Sequence, residues 1–427
     1  MELFDQLRGI IGIAVLLAIA WTLSEDRRQR LSWKWIVGAL ALQGALALVI
    51  LRVPFVWDLM VFANLGVRAI EQATLEGSSY MFGYLGGAPL PFELKEGVDP
   101  PLIIAFQILP LVIVFSALAA LLWHWGVLKA VVRGLSFLLR RTLGVSGVVG
   151  LSGGANMFLG VVESPLVVRA YFSRVSRAEL FQIMVLAMAT ISGAILILYA
   201  TTLRDTVPQA VGHMITASLV SLPAALLIAK LMVPEKSTAD AEKDKPQDAD
   251  ELDLKYEGSI DAIVKGTMDG MQLFLAVIAV IIVVFAFVAL ADQVLALLPL
   301  VGDEPLSLKR LFGWIFAPLM WLIGVPWSEA QAAGGLMGTK AVLNEYVAYL
   351  ELAALPDGTL SPRSLLIVTY ALCGVANLAS VGLLVSTIGT LCPERRAETA
   401  GLGMKSWIAG NFATAMTGAW VGLLTWA

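Results

Sequence analysis

The sequence predicts an all-α integral membrane protein, with eight transmembrane helices plus two opposed re-entrant helical hairpins in an inverted repeat, and with interfacial amphipathic helices. Three observations carry this prediction. Of 427 residues, 58% are hydrophobic and 15% charged, against about 45–50% and about 25% in soluble domains. Eight stretches free of Asp, Glu, Lys and Arg approach or exceed the ~20 residues that cross a ~30 Å hydrocarbon core. Two more are apolar, glycine-rich and interrupted, and fit neither a span nor a loop.

Composition also excludes classes. Lys plus Arg number 29 and Asp plus Glu 33, a net charge of −4, so no basic surface is offered to nucleic acid. Cys373, Cys392, His124 and His213 are far too dispersed for a disulfide framework or a CxxC or HExxH metal arrangement.

The charge-free stretches are 9–24, 35–51, 100–128, 180–203, 207–229, 270–291, 364–393 and 406–427. The first ends in the signal-like Ala18-Ile19-Ala20. Glu2, Asp5 and Arg8 before it and Arg27, Arg28, Arg30 and Lys34 after it make it a retained helix instead. The first two are short, and Trp21, Trp33 and Trp35 mark their ends at headgroup level. Residues 25–34, 129–141, 169–177 and 394–405 are basic, whereas 52–101 holds three basic and six acidic residues. The positive-inside bias then puts both termini outside a bacterial-type cytoplasmic membrane. Residues 53–77 read as an amphipathic interfacial helix. Residues 233–256 read as a hydrophilic cytoplasmic loop, because 235–255 carries eight acids and four lysines.

The interrupted stretches are 142–162, which breaks at Glu163-Ser164-Pro165, and 311–355, interrupted from Glu329 to Glu345. Their arms are too short to cross at ~1.5 Å per residue, hence the hairpins. Each precedes a span with polar residues in mid-run, Thr190 and Ser192 in one, Asn377 and Ser380 in the other. Loop parity opposes the two units, the arrangement that holds solute at the midplane of secondary transporters. The chain divides accordingly. Residues 1–141 form N-terminal and scaffold elements, 142–232 a first transport unit, 257–300 a sixth, scaffold helix, and 301–427 a second transport unit.

A carboxylate at membrane depth costs at least ~2.5 kcal/mol, which makes Glu163 and Glu345 functional candidates. Beside broken-helix ends, each can accept hydrogen bonds from a neutral, hydroxyl-rich solute. Asn377 and Ser380 lie three apart on one helix face, Asn344 adjoins Glu345, and Lys340 reads as structural, by snorkelling or pairing with Glu345. Ser152, in Gly150-Leu151-Ser152-Gly153-Gly154, matches the G-x-S-x-G of serine hydrolases and the motif of rhomboid-like proteases. It has no base in reach, since His213 belongs to the opposite side. Residues 334–340 resemble a phosphate loop but end Gly338-Thr339-Lys340, the wrong order.

At these residues the chain resembles the concentrative nucleoside transporter family over roughly its last 330 residues. The resemblance rests on 155–169 (ANMFLGVVESPLVVR), 324–330 (GVPWSEA), 343–349 (LNEYVAY), 371–380 (ALCGVANLAS) and 393–396 (PERR). It implies a homotrimer of eight-helix protomers, an elevator-like motion, no enzyme activity, and symport of a nucleoside with Na⁺, or with H⁺ in some members. By position it implies that Glu345, Asn377 and Ser380 hold ribose hydroxyls and that Glu163 belongs to the nucleobase motif. Val161, Val162, Ile195 and Val375 complete the substrate set. Asn156, the backbone of Leu159, Thr190 and the backbone of Ile191 form the implied Na⁺ site, with Thr190 in place of a serine. Val161-Val162 depart from the family's usual Gln-Thr, which implies altered or broader base selectivity.

Overall fold

The computed structural model describes residues 2–29, 31–93, 102–161, 163–235, 256–301 and 305–425. Every extended element among them is a helix. Val162, residues 236–255 of the hydrophilic loop and the Glu163 side chain lie outside what is described.

The N-terminal part holds α1 (Glu2–Thr22), α2 (Trp33–Arg52) and α3 (Pro54–Phe82). Ser32 caps α2 through the Trp35 N–H, and Pro54, which has no N–H to satisfy, opens α3. The helix expected over 53–77 is α3, which runs on to Phe82. The next stretch is divided into α4 (Ile104–Gln107) and α5 (Pro110–His124). It leads to α6 (Val127–Leu143), bounded by Gly126 and Gly144, both at positive φ. Leu128, Val132, Ser136, Leu139 and Leu143 form the buried stripe of α6, while the exposed face carries Arg133 and Arg141. This is the helical 3–4 spacing of an amphipathic element.

Next come α7 (Gly147–Asn156), α8 (Glu163–Val167), α9 (Arg177–Ala189), α10 (Gly193–Thr202), α11 (Ala210–Met232) and α12 (Ser259–Leu295). The chain ends with α13 (Leu308–Leu322), α14 (Trp327–Gly338) running into a π turn (Thr339–Leu343), α15 (Glu345–Ala353), α16 (Pro362–Leu372), α17 (Leu378–Leu391) and α18 (Arg396–Leu424). Among the described residues five elements, Trp33–Arg52, Ile104–His124, Arg177–Thr202, Ala210–Met232 and Ser259–Leu295, are long and apolar enough to cross a membrane. The apolar window of Arg177–Thr202 is 94% buried and that of Ser259–Leu295 only 6%, so α9–α10 form the centre of the molecule and α12 its periphery.

The interrupted stretches differ from expectation in where they break. Glu163, Ser164 and Pro165 start α8 rather than interrupt a helix, and the break is the turn 157–161 before them. In the second, α13 is a separate helix bent 118° from the α14 segment, and 329–343 is helical. The glycines read there as a break are contact points. A Cβ on Gly334 would lie 2.6 Å from the Ala317 nitrogen and 2.7 Å from the Gly313 oxygen of α13, so only glycine permits that approach. The interruption reduces to Asn344, which is extended. Thr190, Ser192 and Asn377 are likewise not mid-helix, because they mark the breaks between α9 and α10 and between α16 and α17.

The basic segments 25–34, 169–177 and 394–405 meet at one end of the molecule. Glu25 receives Arg177 at 2.9 Å and Lys405 at 2.7 Å, while Glu398 receives Arg177 at 3.3 Å and Arg395 at 2.6 Å. The Arg177 bond, seconded by Lys405, holds the Glu25 carboxyl down at about 2 against partial burial.

Candidate functional site

The two helix breaks back onto each other at the centre. A Cβ on Gly374, in the second break, would lie 3.0 Å from the Met188 oxygen and 3.1 Å from the Ala189 carbonyl carbon at the end of α9. Broken helices leave end carbonyls and N–H groups without intrahelical partners. The N-terminal ends are capped by Ser192, facing the Ile195 N–H at 3.5 Å, and by Asn377 Oδ1, accepting from the Ser380 N–H at 2.8 Å. Asn377 and Ser380 are thus a cap and its partner, not two positions on one helix face.

Glu345 sits between these breaks. Asn344 Oδ1 accepts the Tyr346 N–H at 2.7 Å, which fixes Glu345 as the first residue of α15. The side chain is only 5% exposed. Tyr199 OH donates to Oε1 at 2.6 Å and Asn377 Nδ2 to Oε2 at 2.6 Å. Three elements, α10, α15 and the start of α17, therefore converge on one carboxylate. The Tyr199 ring stacks on Tyr346 at 5.4 Å and 12°. Two charge-assisted bonds and the positive end of α15 offset the desolvation of this carboxylate. Each oxygen retains capacity for a further donor. Ser380 and Val375 are half-buried on either side of Asn377, and half-buried Ile195 lies one turn before Tyr199 on α10.

The first half gathers neutral oxygens. Asn156, Ser164 and Thr190 are all buried. Ser164 Oγ donates to Asn156 Oδ1 at 2.7 Å, Asn156 Nδ2 contacts Thr190 Oγ1, and Thr190 Oγ1 donates to the Leu186 oxygen at 3.0 Å. The Gly193 N–H reaches the Phe158 oxygen at 3.4 Å, tying the turn that holds Leu159 to the break that holds Ile191. A set of amide, hydroxyl and backbone oxygens suits a hard monovalent cation. Among the described residues no group of three or more His, Cys, Asp or Glu could hold a metal. Val161 is half-buried in the same turn, and α8, which Glu163 opens, packs against α7 and α17.

Several expectations change. Lys340 neither snorkels nor pairs with Glu345, because its ammonium is fully buried against Asn411, Thr414 and the Ala371 oxygen. Ser152 is buried in α7, and His213 Nδ1 is engaged by Tyr370 OH at 2.9 Å, so no hydrolytic pair forms. Tyr199, Ser164, Asn411 and Thr414 were not singled out from the sequence. A lone phenol in the apolar run 180–203 is a signal that a partner is required, without saying which.

Family models match most of the chain. "Na+ dependent nucleoside transporter N-terminus" covers 11–85, "Nucleoside recognition" 105–206, and "Na+ dependent nucleoside transporter C-terminus" 213–422. The nucleoside permease NupC of Helicobacter pylori is 31% identical over 99% of this chain and 98% of its own. The mouse sodium/nucleoside cotransporter 1 is 28% identical over 98% of this chain and 64% of its own. The structure of CNTnw in an inward-facing substrate-bound state superposes with a TM-score of 0.84 at 35% identity, covering 98% of both chains. The chain belongs to the Na⁺-dependent, concentrative nucleoside transporter family, whose members are membrane transporters and not enzymes.

Proposed function

From that membership we propose that the chain imports nucleosides by Na⁺ symport, with Glu345, Asn377 and Ser380 reading the ribose and Asn156, Thr190 and the backbone of Leu159 and Ile191 holding the ion. The observation that carries the proposal is the buried Glu345–Asn377–Tyr199 cluster, set across two helix breaks from the Asn156–Thr190 oxygens. A neutral nucleoside gains nothing from the membrane potential, so accumulation must draw on the ion. One Na⁺ moving down ~100 mV and a tenfold gradient supplies ~3.7 kcal/mol, enough for roughly 500-fold accumulation. The protomer is read as eight spans with two opposed hairpins, α7–α8 and α14–α15. The transport units at 142–232 and 301–427 move elevator-fashion against a scaffold that includes α5 and α12, within a homotrimer whose termini lie outside the cytoplasmic membrane. The apolar Val161-Val162 pair removes two polar groups from the base side, and Glu163 follows it. Base reading then rests more on shape, with broader or purine-leaning selectivity.

The test is uptake of labelled uridine and adenosine into proteoliposomes, with an inward Na⁺ gradient and with a Na⁺-free control at fixed pH. Accumulation only with Na⁺ is expected. Accumulation driven by an inward H⁺ gradient instead would replace the coupling ion, and a sharp uridine preference would remove the selectivity reading.

A further inference from the structure

Each half of the centre surrounds one nitrogen with three oxygens, and the two nitrogens differ in charge. In the first half Asn156 Nδ2, at the end of α7, faces the Leu186 oxygen at 3.2 Å, the Ala187 oxygen at 3.5 Å and Thr190 Oγ1. These acceptors belong to the C-terminal end of α9. In the second half Lys340 Nζ, in the π turn that ends the α14 arm, donates to Asn411 Oδ1 at 2.9 Å, Thr414 Oγ1 at 2.9 Å and the Ala371 oxygen at 3.4 Å. Ala371 belongs to the C-terminal end of α16. The place in the repeat is the same, the end of a first hairpin arm against the carbonyl end of the following broken helix. Carbonyl ends of helices carry partial negative charge and favour cations.

The hydrogen-bond partners around Lys340 suit an ammonium. Asn411 Nδ2 donates to the Ala376 and Trp407 oxygens, both at 3.0 Å, so its Oδ1 is the atom turned to Lys340. The Thr414 hydroxyl donates to the Asn411 oxygen at 3.1 Å and can only accept from Lys340. Three acceptors with no proton to give surround the nitrogen. A neutral amine would set its lone pair against one of them, whereas an ammonium supplies three donors. Trp407 Nε1 holds the π turn in place by donating to the Ala341 oxygen at 2.7 Å.

We propose that Lys340 is a tethered cation, its ammonium serving the carbonyl end of α16 in the second half as the neutral Asn156 amide serves the carbonyl end of α9 in the first. The transport unit then carries one positive charge as part of the chain, which holds the α14 arm against the broken helix α16–α17. The uptake readout below rests on the function proposed above; the fixed charge at Lys340 does not.

Lys340→Ala removes a tail the size of propylammonium. Thermal unfolding of the full-length protein in nanodiscs is compared for wild type, Lys340→Ala and Lys340→Met, with propylammonium or with 1-propanol. The expected result is a lowered Tm for both variants, restored in Lys340→Ala by propylammonium but not by 1-propanol, and not restored in Lys340→Met, whose own side chain fills the space. Uridine uptake by Lys340→Ala should fall at least ~10-fold and recover with propylammonium, as for loss of a buried charged hydrogen-bond donor. Equal rescue by 1-propanol, or wild-type Tm and uptake in Lys340→Met, overturns the proposal. If Lys340→Ala does not fold, Lys340→Gln decides, since it keeps a donor without the charge and wild-type behaviour there overturns the proposal too. Na⁺-independent uptake in wild type would remove the coupling reading and leave the Tm comparison to decide Lys340.

Discussion

The two interrupted segments each precede a broken helix, α9–α10 and α16–α17, and are built differently. In the first, α7 and α8 are joined by the turn 157–161, whose residues 158–161 are half-buried, and the polar groups around it are the neutral Asn156, Ser164 and Thr190. In the second, a single extended residue, Asn344, separates the π turn from α15, and the charged Lys340 and Glu345 are buried with their partners in place. The first leaves room for adjustable oxygen ligands. The second is organised in advance around fixed charges, which is where a binding site obtains specificity at low reorganisation cost.

Breaking the second segment should have the largest effect. Glu345→Gln turns an acceptor into an amide facing the donors of Tyr199 and Asn377, and uptake should fall by about 100-fold with folding retained. Tracer uptake beside a thermal melt measures this. In the first segment Thr190→Val removes one neutral oxygen, and the half-saturating Na⁺ concentration should rise by about 10-fold at nearly unchanged maximal rate. A Na⁺ titration of uptake reads it. Sharpening the contrast, Val161→Gln with Val162→Thr adds polar groups to the first turn and should move the uridine-to-adenosine uptake ratio toward uridine by roughly 10-fold. The smallest effect belongs to Glu25, remote from both segments. Its carboxyl stands at about 2 when folded against 4.5 for the free group. Its contribution is therefore complete above 4.5 and disappears as pH falls through about 2. Tm of wild type should exceed that of Glu25→Gln by a few degrees at neutral pH, and the two should converge on acidification.

All eight charge-free stretches are helical over most of their length, because exclusion of charge from hydrocarbon is a one-dimensional signal. Breaks were harder to read. Gly334 and Gly338 look like helix breakers in a string of letters, yet they lie inside helix against α13, and only the neighbouring helix reveals why they are small. Glu163-Ser164-Pro165 looked like an interruption, although Ser and Pro are also the residues that begin helices. Glu345 stands out as a carboxylate at membrane depth and Asn377 and Thr190 as polar residues within apolar runs, whereas Asn156 is marked only by the motif resemblance. Tyr199, 146 positions before Glu345, and Asn411 and Thr414, more than 70 beyond Lys340, are not marked, because no local pattern encodes a partner that far along the chain.

The peripheral helix α12 has a mechanical consequence. Its charge-free part, 270–291, holds 22 residues, which at ~1.5 Å each make ~33 Å, close to the ~30 Å hydrocarbon thickness. A helix of that length is long enough to span the bilayer, and its N-terminal part is tied to the chain just after α5, where Trp125 Nε1 reaches Ser259 Oγ at 3.1 Å. The molecule thus carries its own gauge of membrane thickness, and acyl chains much longer or shorter than that gauge would load α12 and its neighbour α5 with mismatch strain before any solute moved.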